Sequence, residues 1–214
     1  AQVQRELREG QKGEIINNQF LERTEQELAH KYIQPTDRVL ELGARYGTVS
    51  CMINSRLNKK YKSLQVSVEP DDRIWESLEL NKKYNECQFN IVKGLISKKR
   101  MSLTNLNECY DGYATTSIPD ENSKINHYTL DEIKKKYKIK TFNVLVADCE
   151  GFLEQFIDEN PNIINEIRMI IFEADYTDKC NYDKIKSILK NNNFRCEVEL
   201  NNKHQNVYIN DDKY

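Results

Sequence analysis

Short apolar runs alternate along this chain with longer stretches in which apolar residues recur at helical spacing. The runs predict five strands, at 38–43, 63–70, 88–95, 142–148 and 168–173. The helical stretches predict helices at 49–57, 72–84, 152–158 and 182–192, and a capping box formed by Thr129 and Glu132 predicts the start of another. Alternating β–α units predict an α/β fold, with a mostly parallel sheet that carries helices on both faces. Two final runs, 194–200 and 207–209, predict a hairpin that adds an antiparallel edge.

The first 34 residues are predicted to form a helical lead-in, and residues 35–214 a single domain. Leu28, Tyr32 and Ile33 continue a near-helical spacing that begins at Phe20, and Pro35 ends the run. This helix either packs on the sheet or covers a ligand. Because the chain begins at Ala1 rather than Met, we expect a processed protein or a piece of a longer one, which leaves attachment to further domains open.

The charges of the chain are balanced, which argues against a nucleic-acid partner. The 32 basic and 34 acidic residues give a net charge of -2, so no overall positive field exists. The basic runs at 98–100 and 134–136 are short and typical of solvated faces. No apolar run approaches the roughly 18 residues that span a membrane, so we expect no membrane partner.

The six cysteines form no Cys-x-x-Cys pair, and none lies near a histidine at metal-ligand spacing. No secretion signal is recognisable, so the sequence predicts free thiols in a reducing compartment and a cytoplasmic location. Cys149 lacks a histidine neighbour and is therefore interpreted as a small buried side chain rather than a nucleophile.

A glycine turn follows the first predicted strand and opens the first helix after it. It runs Glu41-Leu42-Gly43-Ala44-Arg45-Tyr46-Gly47. Gly43 permits a sharp turn and a close ligand approach, Gly47 permits close helix packing, and the N–H groups of the turn are expected to point at a ligand. The dinucleotide fingerprint Gly-x-Gly-x-x-Gly lacks its middle glycine here, which favours a ligand with a ribose and an amino-acid tail. Glu41 is then a candidate partner for an ammonium group.

Acidic residues stand at four of the five predicted strand ends, where ligands bind in parallel sheets. Glu69, followed by Pro70, is placed to accept the hydroxyls of a ribose. Gly94 and Leu95 begin an apolar patch suited to an adenine ring. The fourth and fifth strands end at the acids Asp148, Glu150, Glu173 and Asp175.

Taken in order, these motifs resemble the FkbM family of class I S-adenosylmethionine-dependent methyltransferases. The matching segments are the turn from Glu41 to Gly47, Glu69-Pro70, Leu78-Glu79-Leu80-Asn81, Thr129-Leu130-Asp131, Asp148-Cys149-Glu150-Gly151 and Glu173. The resemblance runs from about Phe20 to Asn192. It departs from the family at Arg45-Tyr46, where a small polar pair is common, and at Ala147, where Ile is usual.

The resemblance implies a Rossmann-like methyltransferase sheet and O-methylation of a hydroxyl group, most often on a sugar or glycan. It implies S-adenosylmethionine contacts from Glu41, Gly43, Ala44, Tyr46, Gly47, Glu69, Pro70, Gly94, Leu95 and Asp148. For the general base, Asp148 is the first candidate, followed by His127 and Glu150. Asp148, Glu173 and Asp175 are also candidate ligands for Mg²⁺ or Mn²⁺, which would acidify a sugar hydroxyl.

The acceptor is expected to be a small molecule or a glycan bound by the loop at 109–128. Tyr110, Tyr113 and Tyr128 in that loop are candidates for stacking on a sugar face.

Three other functions stay open on the sequence. A nucleic-acid methyltransferase shares the fold, but the fourth strand ends in Asp148-Cys149-Glu150-Gly151 rather than the Asn/Asp-Pro-Pro-Tyr/Phe motif used for methylation of base amino groups. A dinucleotide oxidoreductase is disfavoured by the glycine spacing. A non-catalytic S-adenosylmethionine-binding module of a larger protein would preserve the cofactor motifs without the chemistry.

Overall fold

The computed structural model describes residues 22–104 and 115–213, together with the backbone of Leu7–Arg8 and Ile15–Ile16. A seven-stranded sheet forms the centre of the described chain. Its strands are β1 (Val39–Leu42), β2 (Val66–Glu69), β3 (Asn90–Lys93), β4 (Val144–Ala147), β5 (Met169–Glu173), β6 (Phe194–Leu200) and β7 (Gln205–Asn210). They lie in the order β3-β2-β1-β4-β5-β7-β6.

The sheet is parallel except for β7, which runs antiparallel to both of its neighbours, β5 and β6. The hairpin predicted at the C-terminus is therefore present, and the fold class is confirmed. The reversed strand of the hairpin, β7, lies inside the sheet. Strand β6 forms the edge and runs in the same direction as β1 to β5.

In the described ranges, seven α-helices connect or cover the strands. They are α1 (Arg23–Tyr32), α2 (Thr48–Arg56), α3 (Trp75–Tyr84), α4 (Leu130–Tyr137), α5 (Leu153–Glu159), α6 (Ile163–Glu166) and α7 (Tyr182–Asn191), with 3₁₀ turns at Lys62–Leu64 and Asp211–Lys213. Of the described helices, none is long and apolar enough to cross a membrane.

Three short strand pairs lie outside the main sheet. Leu7–Arg8 pairs antiparallel with Ile15–Ile16, Leu95–Ile96 pairs parallel with His127–Tyr128, and Met101–Leu103 pairs antiparallel with Ser117–Pro119. The last two pairs place the segment after β3 beside the carboxyl ends of the central strands.

Alternation along the strands divides the core between the two faces of the sheet. Leu40, Leu42 and Leu145 join the larger cluster, which is covered by α4, α5, α6 and α7. Val39 and Val146 point to the other face and pack with α1 and α2. Helix α1 therefore packs on the sheet, which was the first of the two placements expected for the lead-in helix.

Local chemistry explains where two helices begin. Thr129 Oγ1 accepts from the N–H of Glu132, and the Glu132 carboxylate accepts from the N–H of Thr129, so the predicted capping box of α4 is confirmed. Helix α3 begins at Trp75 rather than near residue 72. The Asp71 carboxylate accepts from the N–H of Arg73 at 3.0 Å and holds a turn there instead.

Candidate functional site

The main cavity is a cleft at the carboxyl ends of the parallel strands, with an empty volume of about 760 Å³ that is partly open to solvent. This is the edge at which parallel sheets of this type bind ligands. Loops that follow β1, β2, β3 and β4 form most of its wall, and the short hairpin at 101–119 completes it. Its lining comprises Leu42, Gly43, Arg45, Val68, Glu69, Pro70, Asp71, Ile74, Leu95, Ile96, Leu103, Thr115, Ser117, Asp148, Cys149, Glu150 and Phe152.

Glu69 is a buried carboxyl of the cleft, and the backbone fixes its orientation. Its Oε2 accepts from the N–H of Arg45 at 2.7 Å, and its Oε1 accepts from the N–H of Asp71 at 2.8 Å. Burial raises the pKa of Glu69 to about 7, although these two hydrogen bonds oppose the increase. A carboxylate has about four acceptor positions, so each oxygen retains capacity for a ligand hydroxyl.

The glycine turn after β1 uses three of its N–H groups in hydrogen bonds to the protein backbone. The N–H groups of Gly43 and Ala44 both donate to the carbonyl of Val68, and that of Gly47 donates to the carbonyl of Ala44. The expectation that these particular groups point at a ligand is therefore wrong. The turn serves instead to orient Glu69, through the N–H of Arg45.

Gly43 is required by the neighbouring backbone. It has φ +85°, and a Cβ built there would lie 1.7 Å from the carbonyl oxygen of Asp148. The loops after β1 and β4 consequently meet at Gly43, which brings Asp148 next to the turn. This contact, more than access for a ligand, explains the glycine.

Apart from Glu41, four of the predicted cofactor residues lie outside the lining of the cleft. Ala44 packs in a buried cluster with Leu78, and Tyr46 packs on Ile74. A Cβ on Gly47 would lie 2.8 Å from Leu78 Cδ1, so this glycine permits close packing of α3 rather than of the strand. Gly94 donates its N–H to the carbonyl of Glu69. These four residues pack or hydrogen-bond next to the wall of the cleft and do not line it.

The remaining wall of the cleft is largely apolar. Pro70 was predicted to line it, and so was the apolar patch that includes Leu95 and Ile96. Ile74 and Phe152, which the sequence did not single out, line it as well. A flat aromatic base buries well against such side chains. The predicted apolar patch after β3 is therefore part of the cleft through Leu95 and Ile96.

Three carboxyl groups converge where β4 and β5 end. One oxygen from each of Asp148, Glu173 and Asp175 lies within 4.8 Å of the others. Loss of hydration raises the pKa of Asp148 well above its usual range, and the nearby Glu173 carboxyl raises it further. Tyr182 donates its hydroxyl to Asp175 at 3.0 Å, which orients that side chain. The sequence identified all three acids, and the tertiary structure places them together.

Of the other candidate bases, Glu150 lines the cleft and His127 does not. The Nε2 of His127 accepts from the N–H of Met101 at 2.8 Å, and its Nδ1 lies 2.8 Å from the carbonyl of Ile125. Both ring nitrogens are thus used to hold the hairpin segment. We therefore do not retain His127 as a candidate base, because its one basic nitrogen is already hydrogen-bonded.

Burial raises the pKa of Cys149 well above its usual range, so the thiol stays neutral, consistent with its interpretation as a packing side chain. The five cysteines that the structure describes form no disulfide bond with one another. Cys109, Tyr110 and Tyr113 lie outside the described residues. Tyr128, the third tyrosine proposed for stacking, packs partly buried against the larger core cluster.

A second pocket of about 350 Å³ adjoins the cleft on the face of the sheet covered by α1 and α2. Gly43 and Asp148 line both cavities. Glu41 lies in this second pocket, where its Oε2 accepts from the Ser50 hydroxyl at 2.6 Å. Burial raises the pKa of Glu41 to about 7.

Sequence reasoning missed Glu22, Glu25 and Gln205, which line the second pocket. Glu22 and Glu25 belong to the lead-in, and Gln205 opens β7, so they come from opposite ends of the chain. No local motif connects them. The one available signal was the crowding of Glu22 and Glu25 at the start of a predicted helix.

No family model and no curated protein matches the chain. Solved structures do resemble it. Fibrillarin from Aeropyrum pernix, in complex with natively bound S-adenosyl-L-methionine, is 14% identical with a TM-score of 0.50 over 96% of this chain and 81% of that one. The cofactor-bound Rv0187 from MTB is 10% identical with a TM-score of 0.53 over 87% and 78% of the two chains. A putative O-methyltransferase from Klebsiella pneumoniae is 9% identical with a TM-score of 0.51 over 88% and 80%.

These likenesses show the fold. The chain has the Rossmann-like fold of class I S-adenosylmethionine-dependent methyltransferases. At such low identity they carry no information on the acceptor, and the FkbM family stays a resemblance of motifs.

Proposed function

We propose that the protein transfers a methyl group from S-adenosylmethionine to a hydroxyl group of a sugar or glycan. The observation that carries this proposal is Glu69. A buried carboxyl at the end of β2, held by two backbone N–H groups beside an apolar wall, matches what a ribose joined to a flat base requires. The fold is consistent with the same cofactor.

In this proposal, different residues of the cleft bind the ribose, exclude water from the base and accept the proton. Glu69 accepts the two ribose hydroxyls, and Ile74, Leu95 and Ile96 exclude water from the base. The cofactor supplies an electrophilic methyl group. The acceptor hydroxyl lies near Asp148, whose carboxylate takes its proton as the new C–O bond forms and the methyl–sulfur bond breaks. The raised pKa of Asp148 suits this role, because a stronger base accepts a proton from a hydroxyl more readily.

A divalent metal ion fits the three carboxyl groups beside this position. Asp148, Glu173 and Asp175 offer only oxygen atoms, which Mg²⁺ and Mn²⁺ prefer, and their crowding is relieved by positive charge. Such an ion would supply Lewis acidity to a sugar hydroxyl. Glu150 lines the same end of the cleft and is a further acceptor for substrate hydroxyls.

The cofactor assignment is tested by calorimetry with S-adenosylmethionine on the native protein, Glu69→Gln and the control Glu76→Gln. Glu76 is an exposed acid in the first turn of α3. Hydrogen bonds from hydroxyls to a charged acceptor are worth about 1.5–3 kcal/mol, so Glu69→Gln is expected to weaken binding about 10- to 100-fold. Glu76→Gln is expected to bind as the native protein does.

A second arm avoids the effect of the mutation on folding, because it uses the native protein alone. Adenosine is expected to bind more tightly than 2′-deoxyadenosine and 3′-deoxyadenosine, since each deoxy form loses one hydrogen bond to Glu69. Absence of S-adenosylmethionine binding, together with equal weak binding of all three nucleosides, would refute the proposed cofactor.

The acceptor and metal are tested by methyl transfer from labelled cofactor onto a panel of sugars and glycans, with and without Mg²⁺ or Mn²⁺. Asp175→Asn is expected to abolish any dependence on the metal, whereas the exposed Asp178→Asn is its matched control. Transfer that ignores added metal and survives a chelator would remove the metal from the proposal and leave Asp148 as the base. Transfer onto none of the hydroxyl acceptors would reject the sugar class.

A further inference from the structure

The short hairpin that completes the cleft is attached to the rest of the fold at two neighbouring residues. Its strands are Met101–Leu103 and Ser117–Pro119. Thr115 and Thr116 lead into the second of these strands, and side chains from two different loops of the main sheet bind them. Because Thr115 lines the cleft, these attachments set the position of part of its wall.

The first attachment runs from the loop after β2 to Thr115. Asp71 is 3% exposed, and its carboxylate accepts from Arg73 Nε at 2.9 Å and from Arg73 Nη2 at 2.6 Å. This paired arrangement orients the guanidinium group, whose Nη2 also donates to Thr115 Oγ1 at 3.5 Å. A donor–acceptor distance of 3.5 Å is at the long limit for a hydrogen bond, so the first attachment is weak.

The second attachment runs from the loop after β5 to Thr116, and Lys179 makes it. The Nζ of Lys179 donates to Thr116 Oγ1. Thr116 is 1% exposed, whereas Lys179 as a whole is an exposed residue. Exposed lysines normally keep the charged group in water and lay the alkyl stem along the protein. An ammonium group that is directed at a buried hydroxyl is therefore a specific contact.

The ammonium group also fixes the direction of the hydrogen bonds between the two sides of the hairpin. An ammonium group has donors only, so Thr116 Oγ1 accepts from it and keeps its own proton for Thr104 Oγ1, 2.6 Å away. Thr104 Oγ1 in turn donates to the carbonyl of Thr116 at 3.2 Å, and the N–H of Thr104 donates to the same carbonyl at 2.8 Å. Lys179 thus orders a network that joins both sides of the hairpin.

The loops that carry the acids of the cleft determine where Lys179 lies. A Cβ on Gly151 would lie 3.1 Å from Lys179 Cβ and 3.2 Å from Tyr176 Cβ, so the loop after β4 packs on the loop after β5. The N–H of Lys179 donates to the carbonyl of Tyr176 at 2.8 Å and closes a turn just after Asp175. The side chain of Lys179 therefore connects these two loops to the hairpin.

The two attachments come from opposite sides of the position proposed for methyl transfer. In the sheet, β1 and β4 lie between β2 and β5. A segment that is bound at Thr115 from the loop after β2 and at Thr116 from the loop after β5 therefore spans the ends of β1 and β4, where Asp148 lies. In agreement with this placement, Leu103, Thr115 and Ser117 line the same cleft as Asp148.

We propose that Lys179 is a positioning residue for the acceptor, and this role rests on the proposed function. Through Thr116, Lys179 holds the hairpin wall at a fixed distance from Asp148, and the acceptor binds between them. Lys179 is absent from the described lining of the cleft, so it acts through the hairpin and not by touching the substrate. Loss of this contact weakens binding of the acceptor and leaves the contacts of the cofactor with Glu69 intact.

The first arm of the test measures hydrogen exchange by NMR on the ligand-free protein, in the native form, Lys179→Met, Thr116→Val and the double variant. Methionine keeps the alkyl stem over Gly151 and removes the donor, and valine keeps the shape of threonine and removes the hydroxyl. Each single change is expected to speed exchange of the Thr104 amide at least tenfold. The double variant is expected to be no faster than the faster single variant, because both changes remove the same bond.

Two controls separate local release of the hairpin from a general loss of stability. Lys190→Met changes an exposed lysine of α7 and is expected to exchange as the native protein does. The amides of β4 and β5 are expected to keep their native rates in every variant. Because Lys179 is exposed, Lys179→Met serves alone if Thr116→Val fails to fold.

The second arm measures methyl transfer to a member of the sugar panel that the native protein methylates. Lys179→Met is expected to raise the KM of the acceptor at least tenfold and to leave the KM of S-adenosylmethionine within twofold of the native value. Lys179→Arg restores a donor and is expected to recover most of the loss. A purely structural role would not separate the two KM values in this way.

The proposal is overturned if the Thr104 amide exchanges at its native rate in Lys179→Met, or if the KM of the acceptor is unchanged in that variant. Failure of the proposed function gives a different result, because S-adenosylmethionine then fails to bind or no member of the panel is methylated. The acceptor role of Lys179 would be rejected with it. Faster exchange of the Thr104 amide would still show that Lys179 holds the hairpin, since the first arm uses no ligand.

Discussion

The cleft and the second pocket share Gly43 and Asp148 but differ in the chemistry of their linings. The cleft combines an apolar wall with Glu69, whose two oxygens are already oriented by backbone N–H groups. The second pocket gathers acids from α1, β1 and β5, and the amide oxygen of Gln205 has no donor within the part of the chain that the structure describes. The cleft therefore suits a neutral, flat group with hydroxyls, and the second pocket suits a cation. One sheet edge provides both because successive side chains along each strand point to opposite faces of the sheet.

The most damaging change to this arrangement is expected to be Gly43→Ala. The added Cβ would lie 1.7 Å from the carbonyl oxygen of Asp148, and the residue has φ +85°, so the boundary between the cavities must move. We expect a loss of several kcal/mol of unfolding free energy, or failure to fold, measured by urea denaturation.

Gly151→Ala is the matched control for that experiment. Gly151 has the same φ of +85°, but its added Cβ would meet its nearest neighbour, Lys179 Cβ, at 3.1 Å. It is expected to cost less, about 1 kcal/mol from backbone strain. Equal losses in the two variants would show that φ alone, and not the contact with Asp148, determines the need for Gly43.

The next largest effect is expected for Asp148→Asn on turnover. An amide cannot take the proton of the acceptor hydroxyl, so methyl transfer is expected to fall about 10²- to 10⁴-fold. Cofactor affinity in the cleft is expected to change only a few-fold, because Glu69 and the apolar wall are intact. A variant that transfers methyl groups at the native rate in a labelled-cofactor assay would contradict the assignment of Asp148 as base.

The charge of the second pocket predicts that the ligand-free protein loses stability as pH rises. The pKa values of Glu22, Glu41 and Glu69 are raised to about 8, 7 and 7, so the folded state holds protons that the unfolded state releases. This stability is complete below the ordinary carboxyl pKa of about 4.5 and is lost as pH rises through 7 and 8, by up to about 1.4 kcal/mol per pH unit for each group. Urea midpoints between pH 5.5 and 8.5 measure it.

In that experiment, Glu22→Gln distinguishes the contribution of the second pocket to the pH dependence from the contribution of Glu69 in the cleft. It is expected to reduce the decline between pH 7 and 8.5, since it removes the group with the highest pKa of the three, whereas Glu27→Gln, which changes an exposed acid of α1, leaves the decline unchanged. A native protein whose stability rises over this range would show that the acids of the pocket are charged when empty.

The smallest effect is expected for His127→Gln. This variant tests whether the general base is Asp148, at the boundary of the two cavities, rather than His127. The loss of the bond from the N–H of Met101 is expected to cost about 1 kcal/mol of stability. The pH profile of kcat/KM is expected to keep its shape. Loss of one limb of that profile in the variant would restore His127 as a base.

The elements of the fold were predictable because each is specified within a short stretch of sequence. The strands and most helices fall within a few residues of their predicted bounds, since apolar runs and capping residues act locally. Helix α6 escaped prediction because its four residues are too few to show a period. The internal position of β7 also escaped, since a hairpin pattern does not reveal which of its strands pairs with the sheet.

The candidate site was predictable only where it follows directly from strand ends. Glu69, Pro70, Leu95, Asp148 and Glu150 line the cleft as expected. The turn residues were harder to assign, because a glycine needed for backbone contact and a glycine needed for a ligand give the same sequence. The structure distinguishes them at Gly43 and Gly47, where a Cβ would collide with the protein itself.

The sequence by itself determined the α/β architecture and the acids that end the strands, because the periodicity of each element and the alternation of elements along the chain are properties of neighbouring residues. Only the tertiary structure decided which acids meet. Gln205 bonds to Glu25 across 180 residues of chain and to Glu173 across 32. Contacts at such separations depend on how strands are ordered in the sheet, and that order depends on the burial of the whole core rather than on any local pattern.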